Sequence, residues 1–292
     1  MNINLGIIQG RLTPPEPGNQ DEYFVGKDWK EEFEKIKKIE NIALFDSSYK
    51  INKISYIEWV ITKNSFKNNP LFKNSLKKYP IFSVCAYNMM DKSFYKKEFM
   101  ESNLKPILEA AKKNGIKHVN IPLREFSNIQ NPEIRKEFIE NIRVYGKKYK
   151  DITFLFEFEC WPEEILEVLK GFKNFKLTYN TVAITSFKGK QSHKYFFSKL
   201  HKHILDVHLT DKVIKGKPLE LGQGEVDFYE IIANLLLVYK YKGNFTIQTN
   251  REEPKKEIVT IAKHMKYFMG IFSILKTMYS MKKKQWRVLA EA

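Results

Sequence analysis

The chain has 292 residues, 43% of them hydrophobic and 14% aromatic, enough apolar material to bury a sizeable core in one large α/β domain or two smaller ones. Its formal net charge of +16 raises the question of nucleic acid, but the lysines spread over nearly every predicted helix (KEEFEKIKKIE, LKKY, KEFIENIRVYGKKYK) with acids between them, so no specific nucleic-acid site is expected. Cys85 and Cys160 fall in or beside apolar strand-like runs; they read as buried reduced thiols, which excludes a disulfide framework and, with no secretory signal ahead of the first strand, favours a cytoplasmic location.

Short apolar runs then alternate with charged amphipathic segments along the chain, the pattern of repeated βα units around a parallel sheet. The first strand, INLGIIQ, closes on Gln9 and Arg11 and opens into the irregular stretch from Leu12 to Lys27, whose length suits a lid or binding loop. The segment from Ala43 to Lys53 does not divide cleanly. SYIEWV is the second strand, carrying Glu58, and IFSVCAY the third. The helix NLKPILEAAKKN stops at Gly115, a C-cap, ahead of the fourth strand HVNIP with Asn120. ITFLFEF is the fifth, with Glu157 near its end; Pro162, Glu163 and Glu164 mark the next helix start. FKLTYN, the sixth, ends in Asn180. ILDVHLT, the seventh, points Asp206, His208 and Thr210 to one side and breaks into a loop with Asp211 and Lys212. In LGQGEVDF, Gly222 and Gly224 permit tight turns and Asp227 caps the helix that follows. NFTIQT is the eighth, with Gln248 at its end and Arg251 just beyond.

Eight strands in one chain of this length predict a closed (β/α)8 TIM barrel over residues 1–272. A doubly wound open sheet would show a Gly-rich phosphate turn after its first strand; QGRLTPPEPGN is not one, and no nucleotide cofactor is expected. Residues 273–292 form a C-terminal helical, basic extension. The run from Ile258 to Met281, followed by KKKQWR, reads as the closing helix, with a peripheral membrane or protein contact as the sharper alternative; Lys263, Lys266 and Lys276 argue against a transmembrane span.

In such a barrel the late strands bring Glu157, Asn180, His208 and Gln248 toward the mouth, where oxygen and nitrogen ligands from four strands make a cage for a divalent cation. The carboxylate and imidazole could equally move protons on a sugar carbon next to a carbonyl. Glu159 shares the parity of Glu157 and competes for its place, and Trp59, Tyr87 and Trp161 near strand ends could wall a sugar ring or simply pack.

The ordered pieces LGIIQGRLTPP, IEWV, SVCAYNMM, GIKHVNIPL, LFEFECWPEEILEVL, LTYNTV, DVHLTDK, PLELGQGEVDF and FTIQTNR resemble the sugar phosphate isomerase/epimerase-like group of the xylose isomerase-like TIM barrels. The resemblance implies an isomerase or epimerase acting on a sugar, a sugar phosphate or an activated sugar; QGRL and QTNR resemble a branch associated with bacterial surface-polysaccharide metabolism. It implies Glu157 and His208 as catalytic residues. It also implies a divalent metal (Mn, Mg, Zn or Co) on Glu157, Asn180, His208 and Gln248, although two of the usual carboxylate ligands are amides here. Gln9, Arg11, Glu58, Asn120, Lys212 and Arg251 become expected substrate contacts for a small-molecule carbohydrate. Because Gln248 cannot accept a proton at neutral pH, two-base epimerisation in the usual form is disfavoured. A one-base aldose–ketose shuttle, or a barrel that only binds a carbohydrate or a partner enzyme, is left. An apurinic endonuclease shares the superfamily and would suit the charge, but His118, His193, His201, His203 and His264 do not form its trinuclear zinc pattern around His208.

Overall fold

A computed structural model describes residues 3–13, 29–43, 53–66, 68–183, 192–213, 218–249 and 256–291. Eight parallel strands close into a barrel: β1 (Asn4–Ile8), β2 (Ile54–Val60), β3 (Ile81–Cys85), β4 (His118–Leu123), β5 (Thr153–Phe158), β6 (Phe175–Asn180), β7 (Ile204–Leu209) and β10 (Asn244–Ile247), with β10 hydrogen-bonded to both β7 and β1. A two-stranded hairpin, β8 (Asp211–Lys212) and β9 (Pro218–Leu219), stands between β7 and β10. Around the barrel lie α1 (Glu31–Ala43), α2 (Lys97–Asn103), α3 (Lys105–Asn114), α4 (Pro132–Lys148), α5 (Pro162–Leu169), α6 (Ser192–Leu200), α7 (Phe228–Ala233) and α8 (Glu257–Glu291). The expected loop from Leu12 to Lys27 lies outside the described residues beyond Thr13, and so does most of the stretch from Ala43 to Lys53.

Period-two alternation gives each strand two jobs. In β5, Phe154, Phe156 and Phe158 face the helices, Phe154 and Phe156 packing against Phe175, Phe156 also against Phe138, and Phe158 stacking on Phe156, while Leu155 and Glu157 face inward. In β2, Trp59 belongs to the outer core, edge-on to Trp29 and bonded through Nε1 to Asn69 Oδ1 at 2.8 Å, so it does not wall the mouth. The inner face is unusually polar: Tyr56, Glu58, Ser83, Asn120, Glu157, Asn180, Asp206, His208, Thr246 and Gln248 are all buried. Gly6 is what admits Tyr56, since a Cβ there would stand 2.0 Å from its ring.

The punctuation follows the sequence. Gly115 ends α3 at φ +76, and α5 starts at Pro162 with Glu164 Oε2 accepting from Trp161 N at 2.9 Å. Arg135 of α4, half-way between Glu164 and Glu167 of α5, ties the two helices together. Both thiols are buried and held well above the usual thiol range, Cys85 by burial first and then by Glu58, Cys160 by burial and then by Glu164.

The closing helix α8 runs unbroken through position 273 and lies against α1, burying Ile261, Met265, Phe268, Phe272 and Leu275. Among the described residues its Glu257–Met281 stretch alone is long and apolar enough to cross a membrane, with mean hydropathy 1.3, and half of it is buried inside the protein. That burial is what a barrel's last helix requires.

Candidate active site at the barrel mouth

Glu58, Glu157, Asn180, His208 and Gln248 meet in one hydrogen-bonded chain at the C-terminal end of the barrel, the face on which TIM-barrel chemistry is built. His208 Nε2 stands 3.0 Å from Glu58 Oε2 and 3.4 Å from Asp206 Oδ2, and its Nδ1 stands 3.2 Å from Glu157 Oε2. Glu58 also accepts from Ser83 Oγ and from Asn120 Nδ2, each at 3.0 Å. Asp206, one inward step below His208, accepts from the Thr246 hydroxyl at 2.9 Å and lies 3.5 Å from the Tyr56 hydroxyl. The three carboxylates therefore surround one imidazole.

Glu157 has partners besides His208. Asn180 Nδ2 donates to its Oε1 at 3.0 Å, and Arg124, which follows β4, places Nε 3.2 Å from the same oxygen. Burial pushes the Glu157 carboxyl up, but the Arg124 charge and the hydrogen bonds of His208 and Asn180 outweigh it and hold the group below the usual carboxylate range. Glu58 follows the same logic: burial raises it, and the charge and hydrogen bond of His208, with Asn120 and Ser83, leave it lowered. Burial alone would drive His208 neutral; Glu58, Asp206 and Glu157 reverse that and raise it well above its ordinary value.

Of the two acids on one parity, Glu157 enters this network. Glu159 turns into the loop above, where its Oε2 accepts from Glu125 N at 3.1 Å. Among the other expected contacts, Gln9 is buried with its Oε1 accepting from Val60 N at 2.7 Å, Arg11 is buried beside it, and Asn120 lies deep, bonded to Glu58. Lys212 sits half-buried on β8, and Arg251 lies outside the described residues. Asp211 is buried below the loop and organises LGQGEVDF: its carboxylate accepts from Gly222 N at 2.8 Å, Gly224 N at 2.9 Å and Val226 N at 3.3 Å.

Arg124 was not among the residues expected from the sequence. The strand read from the sequence, HVNIP, stops at Pro122; β4 runs to Leu123, so the strand-end side chain is Arg124. The next residue, Glu125, takes a left-handed φ of 53 where the chain leaves β4. There an open cleft of about 430 Å³ lies over the ends of β2, β3 and β4, lined by Thr62, Lys63, Tyr87, Met90, Glu125 and Phe126 among others.

No protein-family model and no curated protein matches the sequence. Solved structures do. A D-tagatose 3-epimerase-like protein superimposes with TM-score 0.66 at 16% identity, over 95% of this chain and 100% of its own. The IolI protein with a bound zinc atom gives TM-score 0.63 at 14% identity, over 95% and 99%. D-allulose 3-epimerase from Methylomonas sp., in complex with D-allulose, gives 0.57 at 15% identity, over 94% and 96%. The fold is that of the xylose isomerase-like TIM barrels. At these identities the likeness is one of architecture.

A zinc-bound neighbour raises the question of a cation in this barrel. The ligand-type atoms of Glu58, Asp206 and His208 lie within 4.8 Å of one another, a group consistent with a divalent metal. The four positions implied by the resemblance fit less well. Asn180 Oδ1 accepts from Val182 N at 3.0 Å and Ala183 N at 3.2 Å, so the amide turns its NH2 inward, toward Glu157 and Gln248. An NH2 has no lone pair to offer a cation.

Proposed function

We propose that this chain is a sugar isomerase that moves a proton between adjacent carbons of a carbohydrate through a single base, Glu157. The observation that carries the reading is the asymmetry of the mouth. One carboxylate, Glu157, stands beside a guanidinium and an imidazole, while the opposite position is Gln248, an amide held by Asn180 and Thr210. A base on one face only can take a proton from the carbon next to a carbonyl and return it to the carbonyl carbon, while the hydroxyl proton passes to the former carbonyl oxygen by way of solvent, which is aldose–ketose interconversion; inverting a centre needs a second acid on the other face. Glu157, held ionised by Arg124, is the group that accepts the proton. The Arg124 guanidinium beside it stabilises negative charge on the oxygen as the enediolate forms. His208, fixed by Glu58 and Asp206, orients Glu157. The cleft beside Phe126 and Tyr87 offers aromatic faces for the sugar, and the QGRL and QTNR motifs support a sugar of surface-polysaccharide metabolism.

Incubating the protein in D2O with a panel of aldoses, ketoses and their phosphates tests this by proton NMR. Deuterium is expected at the carbon beside the carbonyl for at least one sugar, falling about 10²–10⁴-fold in Glu157→Gln. The loss of the second base also favours a rival, a barrel that binds a carbohydrate without turning it over. Calorimetric binding of a sugar with no deuterium uptake in any member of the panel would establish that rival instead.

A further inference from the structure

We propose that protein donors occupy the cation's place in this barrel, Arg124 supplying the charge and Asn180 the ligand-like contact, so that the chain holds no divalent metal. The proposal rests on the functional reading above only for the purpose of the site; its geometry stands independently.

Two features of Asn180 decide the matter. Its carbonyl oxygen is committed to the backbone, capping the N–H groups of Val182 and Ala183 where the chain turns after β6. Only an oxygen can accept those two bonds, so the orientation of the amide is fixed by hydrogen-bond chemistry. The NH2 must then face the mouth, where it forks to Glu157 Oε1 and Gln248 Oε1, both at 3.0 Å. An aspartate here could cap the turn with one oxygen and ligate with the other. An asparagine capping in the same way presents a donor where the ligand would be. Turning the amide over would set its NH2 against two backbone N–H groups, leaving buried donors without acceptors.

The neighbouring ligands are used up by the same arrangement. Gln248 Oε1 accepts from Asn180 and, at 3.3 Å, from Thr210 Oγ1. Glu157 Oε1 is shared between Asn180 and the Arg124 guanidinium, whose charge is permanent. That leaves Glu157 Oε2 and His208 Nδ1, which already face each other at 3.2 Å and are two ligand atoms where catalytic metal sites usually supply three or more from the protein. Lower in the barrel, Glu58 and Asp206 have donor types suited to a cation, but both Glu58 oxygens and both Asp206 oxygens already accept hydrogen bonds from Ser83, Asn120, His208 and Thr246.

The test reads metal, not turnover, so it can fail while the isomerase reading survives, and the reverse. The full chain, purified without chelator, is analysed for bound metals by mass spectrometry, then titrated with Mn²⁺ in a calorimeter and melted with Mn²⁺ or EDTA. The wild type is expected to carry no stoichiometric metal and to melt at the same temperature with Mn²⁺, with EDTA and with neither. Asn180→Asp/Gln248→Glu is expected to gain a Mn²⁺ site at least about tenfold tighter than any in the wild type. Arg124→Gln added to that pair should tighten it further, since it removes the competing charge. A wild-type chain that retains one equivalent of Mn, Mg, Zn or Co, or is stabilised by Mn²⁺, overturns the proposal. So does a folded double variant, verified by circular dichroism, that binds Mn²⁺ no better than the wild type.

Discussion

Glu58 shows how much one buried oxygen pair controls. Three donors converge on it, from Ser83, Asn120 and His208, and no part of it is exposed. Glu58→Gln keeps the shape but replaces an acceptor with an NH2, which would face at least one of those donors, and it removes the negative charge opposite His208 Nε2. Breaking one side of a buried ion pair costs about 3–5 kcal/mol, whereas losing the single neutral contact in Ser83→Ala costs about 1 kcal/mol. Urea unfolding of the two variants should therefore separate them clearly. Equal, small losses would mean that Asp206 alone holds His208, leaving Glu58 free for another task. These residues were legible in the sequence as strand-end side chains: Glu58, Glu157, Asn180, His208 and Gln248 each lie in or just past the C-terminal half of their strand, with Asn120 near the middle of its own. A strand-end position says where a side chain is presented but not its rotamer. The turn of the Asn180 amide, set by two backbone N–H groups, had no counterpart in the pattern.

At the scale of elements, the glycine loop after β7 is a structural clasp around a buried carboxylate. Asp211 belongs to β8 yet collects three backbone N–H groups from the LGQGEV turn, and a Cβ at Gly224 would stand 2.1 Å from Asp211 Oδ1. Gly224→Ala must therefore displace the carboxylate or the turn. Asp211→Asn keeps the room but turns one acceptor into a donor against those N–H groups, at about 1–3 kcal/mol. Both variants should lower the melting temperature while leaving deuterium incorporation, measured well below that temperature, within about twofold of wild type. A much larger drop in incorporation at full folding would place the loop in the active site after all. The sequence showed this segment as a landmark and its glycines as turns, because left-handed and crowded positions leave a compositional trace. The end of β4 left none: the strand HVNIP extends by one residue in the closed barrel, pairing Leu123 with Phe158, and delivers Arg124 to Glu157.

For the molecule as a whole, two histidines far from the mouth set the acid limit of the fold. His264 on α8 is buried and accepts from Leu221 N through Nδ1 at 3.2 Å, a bond only the neutral ring can make. Burial lowers it from 6.5 to about 4, against a smaller upward pull from Glu220 and a further downward push from Lys263. His193 on α6, hydrogen-bonded to the Tyr179 hydroxyl, is likewise lowered by burial to about 4, with Glu230 and Asp227 opposing. Both groups titrate lower in the folded chain than in the unfolded one, so below 6.5 the unfolded state binds more protons and stability falls as the pH drops toward 4. Above 6.5 their contribution is complete. At a pH of about 5.5 each should cost the fold about 1 kcal/mol relative to a pH of about 7.5. Denaturant midpoints measured at those two pH values should differ less in His264→Gln and less again in His193→Gln/His264→Gln, even though each variant starts from a lower stability at neutral pH. A pH dependence unchanged by both substitutions would mean that these two histidines do not set it; the carboxylates around His208 could not replace them between those pH values, because Glu58 and Glu157 are lowered and lose their stabilising contribution only as the pH falls below the ordinary carboxylate range.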